Sequence, residues 1–277
     1  MNNYVLKIDC SDKKGLIYKI SDVLYKSDLN IVKNDEFVDS ENSKFFFRAI
    51  VSGDIENINL VTKLKKVMPE DANIKLTKKR RKKIIIMATK ESHCLGDLLL
   101  KEYSDDLNAE IVAVVSNYDY LKGLVDKFNI PFHHVCHEGI DRADHETNVL
   151  AVLDNYECDY VVLAKYMRIL SSDFVKHFDG KMVNIHHSFL PAFVGANPYK
   201  QAFNRGVKTI GATAHFVTND LDEGPIIAQD VINVTHEYSW RDMQKAGRNV
   251  EKVVLSNALD LILEDRVFVS FNKTVIF

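Results

Sequence analysis

KIIIMATKESHCLGDLLLKEYSDDLNAEIVAVVSN, residues 83–117, decides the fold class. Its opening, KIIIMAT, is a short apolar run of the kind that forms a parallel strand covered on both faces. A helix is expected from about Gly96 to Tyr103, and EIVAVVSN (110–117) reads as a second buried strand. Strands that alternate with helices in this way build a doubly wound, mostly parallel sheet.

The same alternation continues downstream. A helix is expected at YLKGLVDKF (120–128), a short extended piece at PFHHV (131–135) and a helix around 143–155. Next come a strand at DYVVLAK (159–165), a helix around 171–177 and a strand at KMVNIHH (181–187). A long helix covers DMQKAGRNVEKVVLSNALDLILE (242–264). RVFVSFNKTVIF (266–277) reads as a small hairpin around an Asn272–Lys273 turn. Ligands of such sheets bind beyond the carboxyl ends of the strands, so chemistry is sought there.

Upstream the pattern differs. NYVLKIDC (3–10) reads as a strand, and Leu16, Ile17, Ile20, Val23 and Leu24 then recur at helical spacing. Two extended stretches, NIVKNDEFVD (30–39) and KFFFRAIVSG (44–53), flank the turn Ser40–Ser43. A helix over about 55–68 and the strand NIKLT (73–77) complete a βαββαβ order, the ferredoxin-like split βαβ. KLTKKRRKK (75–83) puts seven basic residues among nine, and a like-charge run between folded units reads as a solvated linker. The expected organisation is a domain over 1–78, a linker over 79–83 and a second domain over 84–277.

Composition narrows the classes. A chain of 277 residues, 46% hydrophobic and 27% charged, suits two globular domains. A net charge of −3 points to no polyanionic or membrane partner, which leaves the basic run as poor support for nucleic-acid binding. Cys10, Cys94, Cys136 and Cys158 show no CxxC spacing, which leaves no zinc knuckle or thioredoxin-like motif, and free thiols fit a reducing compartment. MNNYVLKIDC is no signal peptide, and no apolar run approaches the ~20 residues of a membrane span. A cytoplasmic protein is expected. HHVCHEG (133–139) resembles a metal cluster only superficially, because its spacing fits no common site, so no metal is expected.

Chemistry gathers at the end of KMVNIHH. Side chains alternate along a strand, so Asn184 and His186 point to one side. An amide can donate to a developing oxyanion and an imidazole can carry protons, the two needs of acyl transfer. The plainer alternative is a pair of polar residues capping the next turn. GATAHFVTNDLDEGP (211–225) supplies Asp220, Asp222 and Glu223, one of which could orient His186. The stretch alone does not choose among them. Ser188 lacks the strained G-x-S-x-G setting of a nucleophile elbow.

NIHHSFLPAF, GANPYKQAFNRG, IGATAHFVTNDLDEGPIIAQD and AGRNVEKVVLSNAL together resemble the folate-dependent formyltransferases. Within that group they resemble the bacterial 10-formyltetrahydrofolate deformylases along the whole chain, including an N-terminal half similar to an ACT domain. The resemblance implies a site of Asn184, His186 and Asp222, the Asp of the L-D-x-G-P stretch. LAKYMRIL (163–170) matches a pterin-binding loop, which implies that Met167, Arg168, Leu170 and, from the HFVTNDLD stretch, Thr218 contact folate. Folate is then substrate, with no cofactor or metal, and formate is supplied to purine synthesis while the folate pools are balanced.

The alternative within the group is a transferase acting on glycinamide ribonucleotide. Such an enzyme needs a cradle of backbone N–H groups for phosphate at a helix N-terminus. KESHCLGDLLL (90–100) comes after the first strand here and is not glycine-rich. His187 stands where the transferases usually carry proline, as in the deformylases, and Lys200 departs from the PYHQA that deformylases commonly show. ACT likeness further implies amino-acid effectors such as methionine or glycine at Asp12, Gly15, Leu16 and Asn30, and a homo-oligomer.

Overall fold

A computed structural model describes residues 2–55, 59–192 and 197–277. The chain divides into two compact units, Met1–Arg80 with Asp265–Phe268 and Val275–Phe277, and Arg81–Glu264 with Val269–Thr274.

The first unit contains β1 (Asn3–Ser11), α1 (Leu16–Tyr25), β2 (Asn30–Asp39), β3 (Lys44–Ser52), α2 (Leu60–Lys65) and β4 (Asn73–Lys78). The strands form one antiparallel sheet in the order β2-β3-β1-β4, the ferredoxin-like arrangement. Leu6, Ile8, Phe45 and Phe47 pack with Ile20 and Leu24 of α1 and Leu60 and Leu64 of α2. β3 is buried along almost its whole length, not on alternate residues. The reason is a second cover within the unit: Phe268 meets Phe46 edge-on at 5.6 Å, and Arg48 Nε donates to the Asp265 carbonyl at 3.1 Å. The helix expected over 55–68 is Leu60–Lys65, capped by the Asn59 side chain; residues 56–58 lie outside the described part.

The second unit begins with β5 (Lys82–Ala88), α3 (His93–Tyr103), β6 (Ala109–Ser116), α4 (Lys122–Val125), β7 (Phe132–His134), α5 (Arg142–Leu153) and β8 (Tyr160–Leu163). It continues with α6 (Ser172–His177), β9 (Met182–His186), α7 (Pro198–Arg205), β10 (Thr209–Phe216), β11 (Ile226–Asn233) and α8 (Trp240–Leu263). β12 (Val267–Ser270) and β13 (Lys273–Ile276) pair as a hairpin. The seven-stranded sheet runs β11-β10-β9-β8-β5-β6-β7, parallel from β9 to β7 and antiparallel at β10 and β11. The chain moves outward from β5 through β6 to β7, then returns to place β8 on the other side of β5. Strand order therefore reverses between β5 and β8, the kind of point where ligand crevices form.

Three expectations change. The basic run is absorbed into structure, because Lys78 ends β4 and Lys82 begins β5, leaving only 79–81 between strands. Lys82 is buried with its ammonium on the Ile262 carbonyl (3.4 Å). Residues 265–268 and 275–277 group with the N-terminal unit and not with the rest of 84–277. The hairpin turn falls at Phe271–Asn272, where Phe271 takes φ 54°, and Lys273 already belongs to β13.

Candidate active site

β9 lies between β8 and β10, and its alternation puts Asn184 and His186 on one face with Ile185 buried on the other. The antiparallel register with β10 sets His215 opposite Asn184. His215 Nδ1 donates to the Phe216 carbonyl at 2.8 Å, which leaves Nε2 to accept from Asn184 Nδ2 at 3.2 Å. One of the two Asn184 N–H groups is thereby used and the amide plane is set.

Asp222 reaches this face by a loop that folds back on β10. Phe216 N donates to the Pro225 carbonyl at 2.9 Å. A Cβ on Gly224 would fall 1.8 Å from the Phe216 carbonyl oxygen, so the close approach requires glycine. Asp222 itself sits at φ 57°. Its Oδ2 lies 3.2 Å from His186 Nδ1 and its Oδ1 3.7 Å from His215 Nε2. Burial alone raises a carboxyl pKa, but the hydrogen bond and charge of His186 outweigh it and hold Asp222 well below the usual range. Of the three acidic residues in the loop, the structure brings Asp222 to His186.

His186 is buried and gives Nδ1 to Asp222, while its Nε2 has no partner among the described residues. Asn184, His186 and Asp222 line a cavity of about 280 Å³. Met167, Arg168, Leu170 and Thr218 line the same cavity. Met167 N is held by Thr89 Oγ1 at 3.0 Å while its side chain stays exposed. Leu170 packs against a core that includes Tyr166, and Thr218 Oγ1 donates to the Asp220 carbonyl at 3.2 Å.

A second polar cluster lies on the buried stripe of α8. Glu251, its side chain 1% exposed, accepts from Tyr199 Oη at 2.6 Å, His93 Nε2 at 2.7 Å and Lys165 Nζ at 3.2 Å. Burial pushes the Glu251 carboxyl up, but those donors pull it down to about 2. Tyr199 packs against Gly247, where a Cβ would meet the Tyr199 hydroxyl at 2.1 Å. Lys165 holds φ 64°, the left-handed region that side chains rarely adopt. His187 is desolvated and faces Lys165, which together lower it to about 3 and keep it neutral at ordinary pH. His93, Cys94 and Glu251 bring three donor atoms within 4.8 Å of one another, but the Lys165 ammonium already occupies a carboxylate oxygen there. Within HHVCHEG, His133 bonds Tyr156 Oη at 2.6 Å and His137 bonds the Asn117 carbonyl at 3.3 Å.

The expected effector residues are not all brought together. Asp12 donates its backbone N–H to the Ser43 carbonyl at 2.8 Å, Gly15 (φ 86°) opens α1, and Leu16 is buried. Asn30 pairs with Ser52, which pairs with Asn3, whereas Ser11 pairs with Lys44 at the far end. β1 and β2 are both antiparallel to β3 and so run the same way. At roughly 3.3 Å per residue, Asn30 stands ~25 Å or more from the Asp12–Leu16 loop.

His215, Lys165 and Glu251 went unmarked in the sequence. His215 carries a usable signal, since it lies in the strand next to the carboxylate loop. A basic residue ending a buried strand and an acidic one inside the apolar stripe of α8 are local inconsistencies of the kind functional sites show. The Phe193 and Gly195–Ala196 parts of the matched motifs lie outside the described residues.

Residues 82–259 match the model of the formyl transferase family. The chain is 54% identical to the formyltetrahydrofolate deformylase of Haemophilus influenzae over 272 residues, 98% of each protein. A crystal structure of a formyltetrahydrofolate deformylase from Pseudomonas syringae pv. tomato is 39% identical, with a TM-score of 0.95 over 100% of this chain and 95% of that one. Glycinamide ribonucleotide transformylase 1 from Symbiobacterium toebii is 27% identical, with a TM-score of 0.68 over 71% of this chain and 94% of that one. Among the described residues no helix is long and apolar enough to cross a membrane.

Proposed function

The chain belongs to the formyl transferase family, and from that premise we propose that it hydrolyses 10-formyltetrahydrofolate to formate and tetrahydrofolate. The observation that carries this reading is His186: Nδ1 is committed to Asp222 and the buried Nε2, at the wall of a cavity, has no partner among the described residues. A base so oriented has its lone pair available for water.

Water attacks the formyl carbon as its proton passes to His186 Nε2, and the Asp222 carboxylate balances the imidazolium. The carbonyl oxygen becomes an oxyanion beside the Asn184 amide, whose second N–H remains for it. The C–N10 bond then breaks as His186 returns the proton to N10. Formic acid ionises, releasing formate and one proton. Met167, Arg168, Leu170 and Thr218 hold the folate.

The residues just after β5 favour water over an amine acceptor. Lys90 lies over the rings of Tyr118 (3.9 Å) and Tyr120 (5.0 Å), and the Glu91 carboxylate takes Arg248 Nε (3.2 Å). An acidic residue and a stacked lysine make a poor phosphate cradle.

The ferredoxin-like unit serves as an ACT-type regulatory domain for methionine or glycine. Asn30 reaches the Asp12–Leu16 loop only from another copy of the chain, which fits a homo-oligomer. The protein works in the cytoplasm and feeds formate to purine synthesis. Formate release from 10-formyltetrahydrofolate, without amine acceptor and with a metal chelator present, tests the reading. Multiple turnovers are expected. Turnover only after glycinamide ribonucleotide is added would make it a transferase.

A further inference from the structure

The cavity at His186 has a neighbour of about 380 Å³, and the two share Lys165, Met167 and His187 as lining residues. The neighbouring chamber also reaches Tyr199, Lys200, Trp240 and Gln244. Two carboxylates line it, and both are already engaged. Glu251 holds Tyr199, His93 and Lys165, and Glu91 holds Arg248 and, at 3.4 Å, His93 Nδ1. Lys165 therefore stands at the shared wall as a cation whose side chain is only 4% exposed. An ammonium carries three donors, of which Glu251 takes one. Its left-handed backbone is a strained way to hold a lysine, and strain of this kind gathers at working sites.

A bulky folate in the first cavity leaves water and formate in need of a way past it. Hydrolysis forms one C–O bond from water, breaks the C–N10 bond and yields a small anion with two acceptor oxygens. Such an anion bonds strongly to a desolvated ammonium. We propose that the second chamber binds formate on Lys165 and is its exit, so that formate leaves while tetrahydrofolate is still bound. This rests on the hydrolysis proposed above.

Trp240 lines the chamber and is the sole tryptophan of the chain, so its fluorescence reports occupancy without turnover. Titrating the folate-free protein with sodium formate should give a saturable change that sodium chloride does not reproduce. Lys165→Met should move the midpoint at least ~10-fold, the weight of one charge-assisted hydrogen bond. If that variant fails to fold for want of a partner to Glu251, Lys165→Met/Glu251→Gln removes both charges together and should show the same shift. In product inhibition of the wild type, formate should be noncompetitive and tetrahydrofolate competitive against 10-formyltetrahydrofolate. A chloride-like response, a midpoint indifferent to Lys165, or formate competitive with the folate overturns the proposal. Formate binding through Lys165 in a protein that releases no formate would instead sink the hydrolysis reading and leave the anion site standing.

Discussion

Asp222, partly buried, and Glu251, fully buried, are both carboxylates set against histidine in the same unit, and both are held below the usual carboxylate range. Their surroundings differ in what is left over. Glu251 receives donors at 2.6, 2.7 and 3.2 Å from three residues, one of them a lysine. Asp222 faces two imidazoles at 3.2 and 3.7 Å, and the nearer has an Nε2 with no partner among the described residues. A perturbed carboxylate flags both places as candidates for function. Hydrogen-bonding capacity left unspent separates the one that can do proton chemistry from the one that ties α3, α7 and α8 to the loop after β8.

That contrast can be attacked from its heaviest side first. Glu251→Ala strands the Lys165 ammonium in a buried position, and removing one partner of such a pair costs about 3–5 kcal/mol. Denaturant melts should register that loss, and a variant as stable as the wild type would mean the cluster is not structural. His186→Ala and Asp222→Asn should each lower turnover at least ~10²-fold. Asparagine tolerates the left-handed backbone at position 222 but loses the carboxylate that His186 stabilises, so Asp222→Asn should also melt lower than the wild type, and its turnover is to be read well below that melt. Near-normal turnover in either variant would erase the distinction between the two carboxylates.

Gly247→Ala sharpens the structural half. Its Cβ would press on Tyr199 2.1 Å from the hydroxyl, and such overpacking costs about 1–3 kcal/mol. An unchanged melt would show that Tyr199 can move aside. The smallest effect is in pH. His187 is lowered to about 3 in the fold from an ordinary 6.5, so the unfolded chain binds the extra proton first. Stability from this group is complete above pH 6.5 and falls as pH drops toward 3, by at most about 1.4 kcal/mol per pH unit. Urea melts at pH 7, 6 and 5 should slope less in His187→Gln, and equal slopes would place the titration elsewhere.

Patterns set by neighbours in the chain were readable. KIIIMAT, EIVAVVSN and DYVVLAK are apolar because their strands are covered on both faces, and the β5–β9 core of the sheet is built on them. Alternation alone put Asn184 and His186 on one side. Pairing across the sheet was another matter. That His215 meets Asn184 depends on the β9–β10 register, and that Glu251 meets Lys165 depends on how α8 lies. Position in the sheet also separated Asn30 from Asp12, which likeness to an ACT domain had joined. Lys82 looked like part of a solvated run because charge patterning cannot see the Ile262 carbonyl that receives it.

The ring of Phe268 on Phe46 has a consequence in time. The first unit includes 265–268 and 275–277, so all of 81–264 must be synthesised before its second cover exists. Domains commonly fold in the order they are made. Here the ribosome delivers the helix-covered half of the first sheet early and leaves Phe46 and Arg48 bare until the second unit has emerged, so the N-terminal unit, begun first, is the one finished last.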